Sequence, residues 1–220
     1  MDLAKIKRIA FDEMAQKVHW CGEKSGKYYH GERTAKLALT LREYVLPGDG
    51  SHDDILTVAA WLHDIASGES DHPLKGAERA KILLAGHCTE REIREIYDIM
   101  YRHDERQSVS DADRDEFSVY AKIQQDADFL DHLGTLNIFT NFVHLALTGK
   151  TVVDEIDRMK EWLIRLETEF EVELNFDISK RIYRDRVAFY RSFLERFAVE
   201  GAGEIWGEGI ILKHKDDLDG

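Results

Sequence analysis

Apolar residues recur at three- and four-residue intervals along most of the chain, the spacing that places them on one face of an α-helix. The apolar–polar alternation of a half-buried strand does not appear convincingly before residue 200. The sequence therefore predicts an all-α fold. A first predicted helix has an apolar face from Ile6 to Val18. The others run from about His30 to Val45, Ser51 to Ala66, Pro73 onward, Ile93 to Met100, Arg114 to Leu133, Leu136 to Leu147, Thr151 onward, and Ile178 to Phe197.

Three of these helices begin with a hydroxyl residue that an acidic residue follows three positions later, the capping-box pattern. The pairs are Ser51 with Asp54, Thr89 with Glu92, and Thr151 with Asp154. A fourth helix is predicted to be capped by Ser70 or Asp71, with Pro73 in its first turn.

The economical arrangement is a single helical domain over residues 1–220, because the chain contains no internal repeat, low-complexity tract or long linker. An irregular Gly-rich tail is expected at 199–220. Within it, WGEGIILKHK is typical of either a short strand or an extended docking segment.

The composition of the chain limits the kinds of molecule that it is expected to bind. The formal net charge of −13 at pH 7 is expected to repel nucleic acid and acidic membranes. Cys21 and Cys88 are too few for a disulfide framework or a cysteine-based zinc site. The N-terminus lacks the apolar core of a signal peptide, and no run of 18 apolar residues occurs. We therefore expect a cytoplasmic protein with no membrane partner.

His-Asp dipeptides occur three times, as His52-Asp53, His63-Asp64 and His103-Asp104. The first is expected to be solvated, because it lies in the first turn of a predicted helix. His63-Asp64 instead follows the apolar stretch ILTVAAWL and is expected to be buried, where an imidazole or a carboxylate needs a partner. A backbone carbonyl could satisfy the histidine, and so could a metal ion.

Two more polar residues share helix faces with apolar ones. His30 begins the second predicted helix, and Asp128 lies on the helix that ends before Gly134. Their neighbours Asp126 and Asp131 are expected to be solvated. One divalent cation would satisfy all the buried groups together, and the residue types do not choose among manganese, magnesium, cobalt, nickel, iron and zinc. The predicted ligands are His30, His63, Asp64 and Asp128.

The order and flanks of these ligands resemble the H…HD…D signature of the HD-domain superfamily of metal-dependent phosphohydrolases. HGERTAKLAL is similar to the family's first helix, AAWLHDIA to its HD segment, and DADFLDHLG to its last motif, although Phe129 stands where a basic residue is common. The similarity covers about residues 25–145; the predicted helices at 151–198 and the tail carry none of the motif. SDHPLKGAERA resembles the segment that follows the HD pair in small bacterial nucleotide-hydrolysing members.

The resemblance implies an all-α HD-type domain that holds one divalent metal ion and hydrolyses a small phosphorylated substrate, through attack of metal-activated water on phosphorus. A nucleotide is the expected substrate class, and cleavage of a nucleoside triphosphate to monophosphate and pyrophosphate is the preferred reaction within it. The candidate catalytic residues are Asp64, Glu69 and His72. The candidate substrate-binding residues are Arg33, Lys75, His103 and His132.

Structural roles for several of these residues stay open. Arg33 shares a helix face with His30 and could either clamp a phosphate or form a surface ion pair with Glu32 or a neighbour. His103 could point into a pocket or form the buried end of its helix face. Glu69 could be a solvated loop residue, and His72 an exposed residue at a helix cap.

Two other functions also stay open. A di-iron oxygenase of the HD fold would require His72 and His103 as additional ligands, whereas the short interval between Asp64 and His72 favours a single metal. The other is a non-catalytic ligand-binding HD protein, against which the intact set of ligands argues. A homodimer is kept open as the state of assembly.

Overall fold

The computed structural model of the protein describes residues 1–17, 23–105 and 116–207. Over these ranges it contains nine α-helices, one short 3-10 helix and no strand, so the all-α prediction is confirmed. None of the described helices combines the length and apolar character needed to cross a membrane. The helices are α1 (Leu3–Met14), α2 (Gly26–Val45), α3 (Asp53–Leu62), α4 (His72–Leu83), α5 (Glu90–Arg102), α6 (Val119–Asp131), α7 (Thr135–Thr148), α8 (Val152–Thr168) and α9 (Asp177–Gly201).

Parts of three predictions lie outside the described residues: Val18 in the first apolar face, the helix start at Arg114, and the tail beyond Gly207. Residues 116–118 are described and are not helical, so α6 begins later than predicted. It begins where the Ser118 hydroxyl accepts the backbone N–H of Ala121 at 3.1 Å.

Two of the three predicted capping boxes are confirmed, at the starts of α5 and α8. The third is wrong, because α3 begins only at Asp53 and no side chain caps it. The Ser51 hydroxyl lies 2.8 Å from His52 Nδ1 instead, a local contact that competes with helix capping.

The prediction that His52 and Asp53 are solvated is also wrong, because both are half-buried. Asp53 accepts hydrogen bonds of 2.7 and 2.8 Å from the Arg42 guanidinium. His52 stacks on Tyr120, with 4.3 Å between the ring centroids. Partners elsewhere in the fold, which local helix periodicity does not reveal, account for this burial.

The chain divides into two compact units, of which the first comprises residues 1–133 and 170–183. α3 supplies its central helix, because apolar side chains on nearly all sides of α3 are buried, as its sequence predicts. Apolar side chains of α1, α4, α5 and α6 complete the core. Among its members are Ile6, Met14, Val58, Leu62, Ala77, Leu84, Ile96, Met100 and Ala121.

Within the first unit, Asp126 connects residues 1–133 to residues 170–183 through hydrogen bonds. It is 1% exposed, so the prediction of a solvated carboxylate is wrong. It accepts the backbone N–H groups of Asn175 at 3.0 Å and Phe176 at 3.2 Å, just before α9 begins. Burial raises the pKa of Asp126, and these hydrogen bonds oppose that rise.

The second unit comprises residues 134–169 and 184–220, of which those up to 207 are described. A buried polar network lies within it. The Asn141 amide donates to the Tyr190 hydroxyl at 3.0 Å, and fully buried Glu155 accepts from Arg158 Nε at 3.1 Å. Hydrogen-bonded partners of this kind are what buried polar groups require.

Candidate metal centre

The centre is built on a close approach of α2 to α3. A Cβ added to Gly31 would lie 2.9 Å from the Ala60 carbonyl oxygen and 3.0 Å from that of Trp61. Glycine therefore lets the two backbones come together, a use of glycine that depends on its missing side chain. The approach brings His30, which precedes Gly31, against the end of α3 and the HD pair that follows it.

His30 is 3% exposed, and both of its ring nitrogens have partners. Nδ1 lies 2.7 Å from Asp131 Oδ2, and Nε2 lies 3.0 Å from Asp128 Oδ1. Both carboxylates belong to α6, one turn apart, so α6 presents two acidic groups to one histidine.

His63 is positioned by its own helix. Its Nδ1–H donates to the Ala60 carbonyl at 2.8 Å, which leaves the lone pair of the neutral ring on Nε2. That Nε2 lies 3.2 Å from His30 Nε2. The predicted carbonyl partner of a core histidine is therefore present, and it also fixes the tautomer that a metal ligand would need.

Each of the two predicted acidic ligands approaches the His30 and His63 imidazoles. Asp64 Oδ2 lies 4.0 Å from His30 Nε2 and 3.9 Å from His63 Nε2. Asp128 Oδ1 lies 3.5 Å from His63 Nε2. Neighbouring ligand atoms about 2.0–2.2 Å from one ion stand about 3 Å apart at right angles, so His30 and His63 with one carboxylate oxygen have the donor types and approximate spacing of a divalent-cation site. The structure therefore brings Asp64 and Asp128 each to the His30 and His63 imidazoles, and whether all four residues share one ion stays a prediction.

A second group of potential ligands shares Asp64. His72, His103 and Asp64 each offer an atom within 4.8 Å of the others. Asp64 Oδ1, the oxygen that Lys27 does not contact, lies 3.9 Å from His72 Nε2. His103 is 2% exposed and donates its Nδ1–H to the Met100 carbonyl at 2.6 Å, so its Nε2 is the unprotonated nitrogen of a neutral ring.

His132 lies at the exposed edge of the centre. Its ring centroid is 4.5 Å from that of His30, and its Nε2 is 3.7 Å from Asp128 Oδ1. Half of its side chain is exposed, which makes it accessible to a ligand that approaches from solvent.

The electrostatics of the centre follow from charges packed into a small volume. Burial alone would lower the pKa of His30, but hydrogen bonds with Asp128 and Asp131 outweigh it and raise that pKa to about 9. Burial acts to raise the pKa of Asp64, but His63, Lys27 and His30 hold it well below its usual range. Without metal, His30 is thus an imidazolium at neutral pH and must release the Nε2 proton before it can bind a cation.

Burial and the neighbouring His63 lower the pKa of His103 to about 4, so His103 is neutral at physiological pH. A neutral imidazole is the form that ligates metals or accepts a hydrogen bond.

The sequence did not predict the roles of two residues that contact the candidate ligands, Asp131 and Lys27. Asp131 was predicted to be solvated, which is wrong, because it is 4% exposed and holds both His30 and Arg33. Lys27 lies 2.5 Å from Asp64 Oδ2. The signal for both was spacing: Lys27, His30 and Arg33 follow one another at three-residue intervals, as do Asp128 and Asp131.

Arg33 is engaged in an ion pair with Asp131. Its Nε and Nη2 donate to the two oxygens of Asp131 at 3.0 and 2.9 Å, whereas Glu32 pairs with Lys7. The ion-pair partner of Arg33 is therefore Asp131 and not Glu32, and its predicted phosphate-clamping role stays a prediction. The guanidinium fork holds Asp131 in place, and Asp131 in turn orients His30.

Glu69 and Lys75 lie in the surface region before and within α4. Glu69 accepts from Arg79 at 3.0 Å, and Lys75 donates to the Ser70 hydroxyl at 3.1 Å. Both side chains are 40% exposed or more. Neither has a described contact with a candidate ligand, so their catalytic and substrate-binding roles stay predictions.

The comparison with solved structures decides the fold. A comparison with family models finds no match, and neither does one with curated proteins. An HD-superfamily hydrolase from Bacillus thuringiensis superposes with a TM-score of 0.65 at 22% identity, over 92% of this chain and 97% of that one. The chain has the HD-domain fold.

Two further solved structures have a similar fold. YpgQ from Bacillus subtilis, solved in complex with ADP, has a TM-score of 0.60 at 18% identity and covers 88% of this chain and 92% of its own. A protein from Lactobacillus plantarum has a TM-score of 0.62 at 21% identity, over 92% and 97%. In this HD domain the HD pair follows the end of α3, with the first histidine on α2 and the last aspartate on α6.

Proposed function

We propose that this HD domain is a metal-dependent phosphohydrolase that acts on a small phosphorylated substrate, a nucleotide in particular. The observation that carries the proposal is the approach of three groups to His30 Nε2: Asp128 Oδ1 at 3.0 Å, His63 Nε2 at 3.2 Å and Asp64 Oδ2 at 4.0 Å. A bound divalent ion would supply an activated water and would stabilise charge on phosphoryl oxygens.

The residues around the ligands have distinct tasks in this proposal. His30, His63, Asp64 and Asp128 hold the ion, while Asp64 also faces His72 through its second oxygen. The half-exposed imidazole of His132, next to the His30 ring, is available to a substrate that approaches from solvent. Arg33 acts through Asp131 and keeps His30 in its orientation.

The nucleotide is the more specific part of the proposal. A structural neighbour, YpgQ, was solved with ADP, and the segment SDHPLKGAERA carries His72, whose Nε2 lies 3.9 Å from Asp64 Oδ1. Release of pyrophosphate from a nucleoside triphosphate is the reaction that we favour within this class.

The test is a screen of the purified full-length chain against nucleotides and simple phosphoesters with manganese, magnesium or cobalt. Phosphorus NMR of the products separates pyrophosphate release from phosphate release. Asp64→Ala should abolish turnover, whereas Asp157→Asn, a change at a largely exposed carboxylate of α8, should leave it unchanged. Undiminished turnover by Asp64→Ala would refute the proposed centre.

A two-metal centre is the second candidate, and the grouping of Asp64, His72 and His103 favours it. Two irons per chain would also admit the oxygenase reaction. Elemental analysis of the isolated protein distinguishes the cases, since one ion per chain that survives His72→Ala would argue against a second site.

A further inference from the structure

Lys27 contacts a carboxylate oxygen that the proposed metal ion would use. Its ammonium lies 2.5 Å from Asp64 Oδ2, and its side chain is 20% exposed. Of the two oxygens of Asp64, Oδ2 is the one that faces His30 and His63, at 4.0 and 3.9 Å. The ammonium therefore holds the same oxygen that the proposed ion would use.

The contact follows from the start of α2. Lys27 precedes His30 by three residues, so both side chains project from the same helix face toward the HD pair. Lysine presents a flexible four-carbon stem with a compact charge, which can leave a carboxylate without moving the backbone.

The charges of the centre make this contact consequential. Asp64, Asp128 and Asp131 are all buried, and such carboxylates need compensating positive charge. The guanidinium of Arg33 compensates Asp131, and the ammonium of Lys27 compensates Asp64. A divalent ion bound to Asp64 Oδ2 would lie a few ångströms from the ammonium, and the two positive charges would repel one another strongly at low dielectric.

We propose that Lys27 is a built-in counter-cation of this centre, which must release Asp64 Oδ2 before a divalent ion binds and which thereby sets the metal affinity. The inference rests on the proposed metal centre, but it concerns this chain's own lysine. It assigns Lys27 a positioning role that neither the H…HD…D pattern nor the comparisons include.

The first test measures metal affinity directly. Full-length protein stripped with EDTA is titrated calorimetrically with Mn²⁺, as wild type, Lys27→Met and Lys27→Arg. Removal of a competing partly buried charge should tighten Mn²⁺ binding by Lys27→Met on the order of tenfold. Lys27→Arg keeps the charge and should bind no more tightly than the wild type.

Lys17→Met is the matched control for the loss of one positive charge. Lys17 acts electrostatically on Asp64 but donates its hydrogen bond to the Ile65 carbonyl. Its substitution should change Mn²⁺ affinity by no more than about twofold, since only a screened longer-range charge is lost. An equal gain in both methionine variants, or no gain in Lys27→Met, would overturn the inference.

A second test needs no variant. Wild-type protein is acylated briefly with an amine-reactive ester, with and without saturating Mn²⁺, and labelling of each lysine is measured by peptide mass spectrometry. Release from Asp64 should raise the labelling of Lys27 severalfold, whereas Lys75, already half-exposed, should be labelled equally in both conditions. Labelling of Lys27 that Mn²⁺ leaves unchanged contradicts the release.

The outcomes separate the two proposals. If the wild type binds Mn²⁺ but Lys27 behaves like Lys17, the inference on Lys27 fails and the metal centre stands. If neither the wild type nor any variant binds Mn²⁺, the metal centre fails, and the role of Lys27 fails with it.

Discussion

His30 Nδ1 lies 2.7 Å from Asp131 Oδ2, and the two oxygens of that carboxylate also accept hydrogen bonds from Arg33. The chain Arg33–Asp131–His30 therefore joins a half-exposed guanidinium to a buried imidazole. Hydrogen bonds of this kind to the far nitrogen of a ligating histidine fix its tautomer and orientation. Asp131 thus belongs to the centre as a positioning residue.

Replacement of Asp131 by Asn should weaken Mn²⁺ binding by about 10- to 100-fold, because the amide is a weaker acceptor and leaves Arg33 without its counter-charge. Calorimetric titration of the EDTA-treated protein measures the change. Asp12→Asn, at an exposed carboxylate paired with Arg8, is the control and should bind like the wild type. Equal affinities for all three proteins would remove Asp131 from the centre.

The sign of the stability change in Gly31→Ala tests the close approach of α2 to α3. In an unobstructed helix interior this change would stabilise the protein by about 1 kcal/mol, through helix propensity. At Gly31 the new methyl group would meet two backbone carbonyl oxygens of α3, so we expect destabilisation by about 1–3 kcal/mol, together with weaker metal binding. Urea denaturation measures the free energy of unfolding, and a gain in stability would show that α2 and α3 separate without penalty.

The pKa of His30 predicts how stability depends on pH when EDTA keeps the protein free of metal. That pKa is raised from 6.5 to about 9, because Asp128 and Asp131 favour the charged ring over the opposing effect of burial. The contribution to stability should be fully present below pH 6.5 and lost as pH rises through about 9. His63 and His132 also face the His30 ring, so the control is His30→Asn, which leaves both of them in place. Its urea-unfolding curves should lack the loss of stability at high pH.

Glu155 offers a test in the second unit. It is fully buried and accepts from Arg158 Nε at 3.1 Å and from His144 Nδ1 at 3.2 Å. Glu155→Gln should lower the free energy of unfolding by about 1–3 kcal/mol, since Arg158 loses its anionic partner but is partly solvated. Asp157→Asn on the same helix, at a largely exposed position, should change it by less than about 0.5 kcal/mol.

The helices of this protein follow closely from local patterns. The capping boxes at Thr89 and Thr151 start helices as predicted, because they satisfy backbone donors within three residues of the cap. The same rule failed at Ser51. Its hydroxyl contacts His52, whose ring stacks on Tyr120, a residue distant in sequence. Local pattern therefore identified α3 but neither its first residue nor its end, which lies at Leu62 and not near Ala66.

The candidate site divides in the same way. The sequence by itself determined the all-α class and predicted the ligand set His30, His63, Asp64 and Asp128, because residue type and helical spacing are local properties of the chain. Only the tertiary structure decided that Asp131 is buried against His30 and that Lys27 meets Asp64, 37 residues away. Which carboxylate is solvated and which is compensated depends on charges that converge from separate helices, and the approach of α2 to α3 at Gly31 brings those helices together.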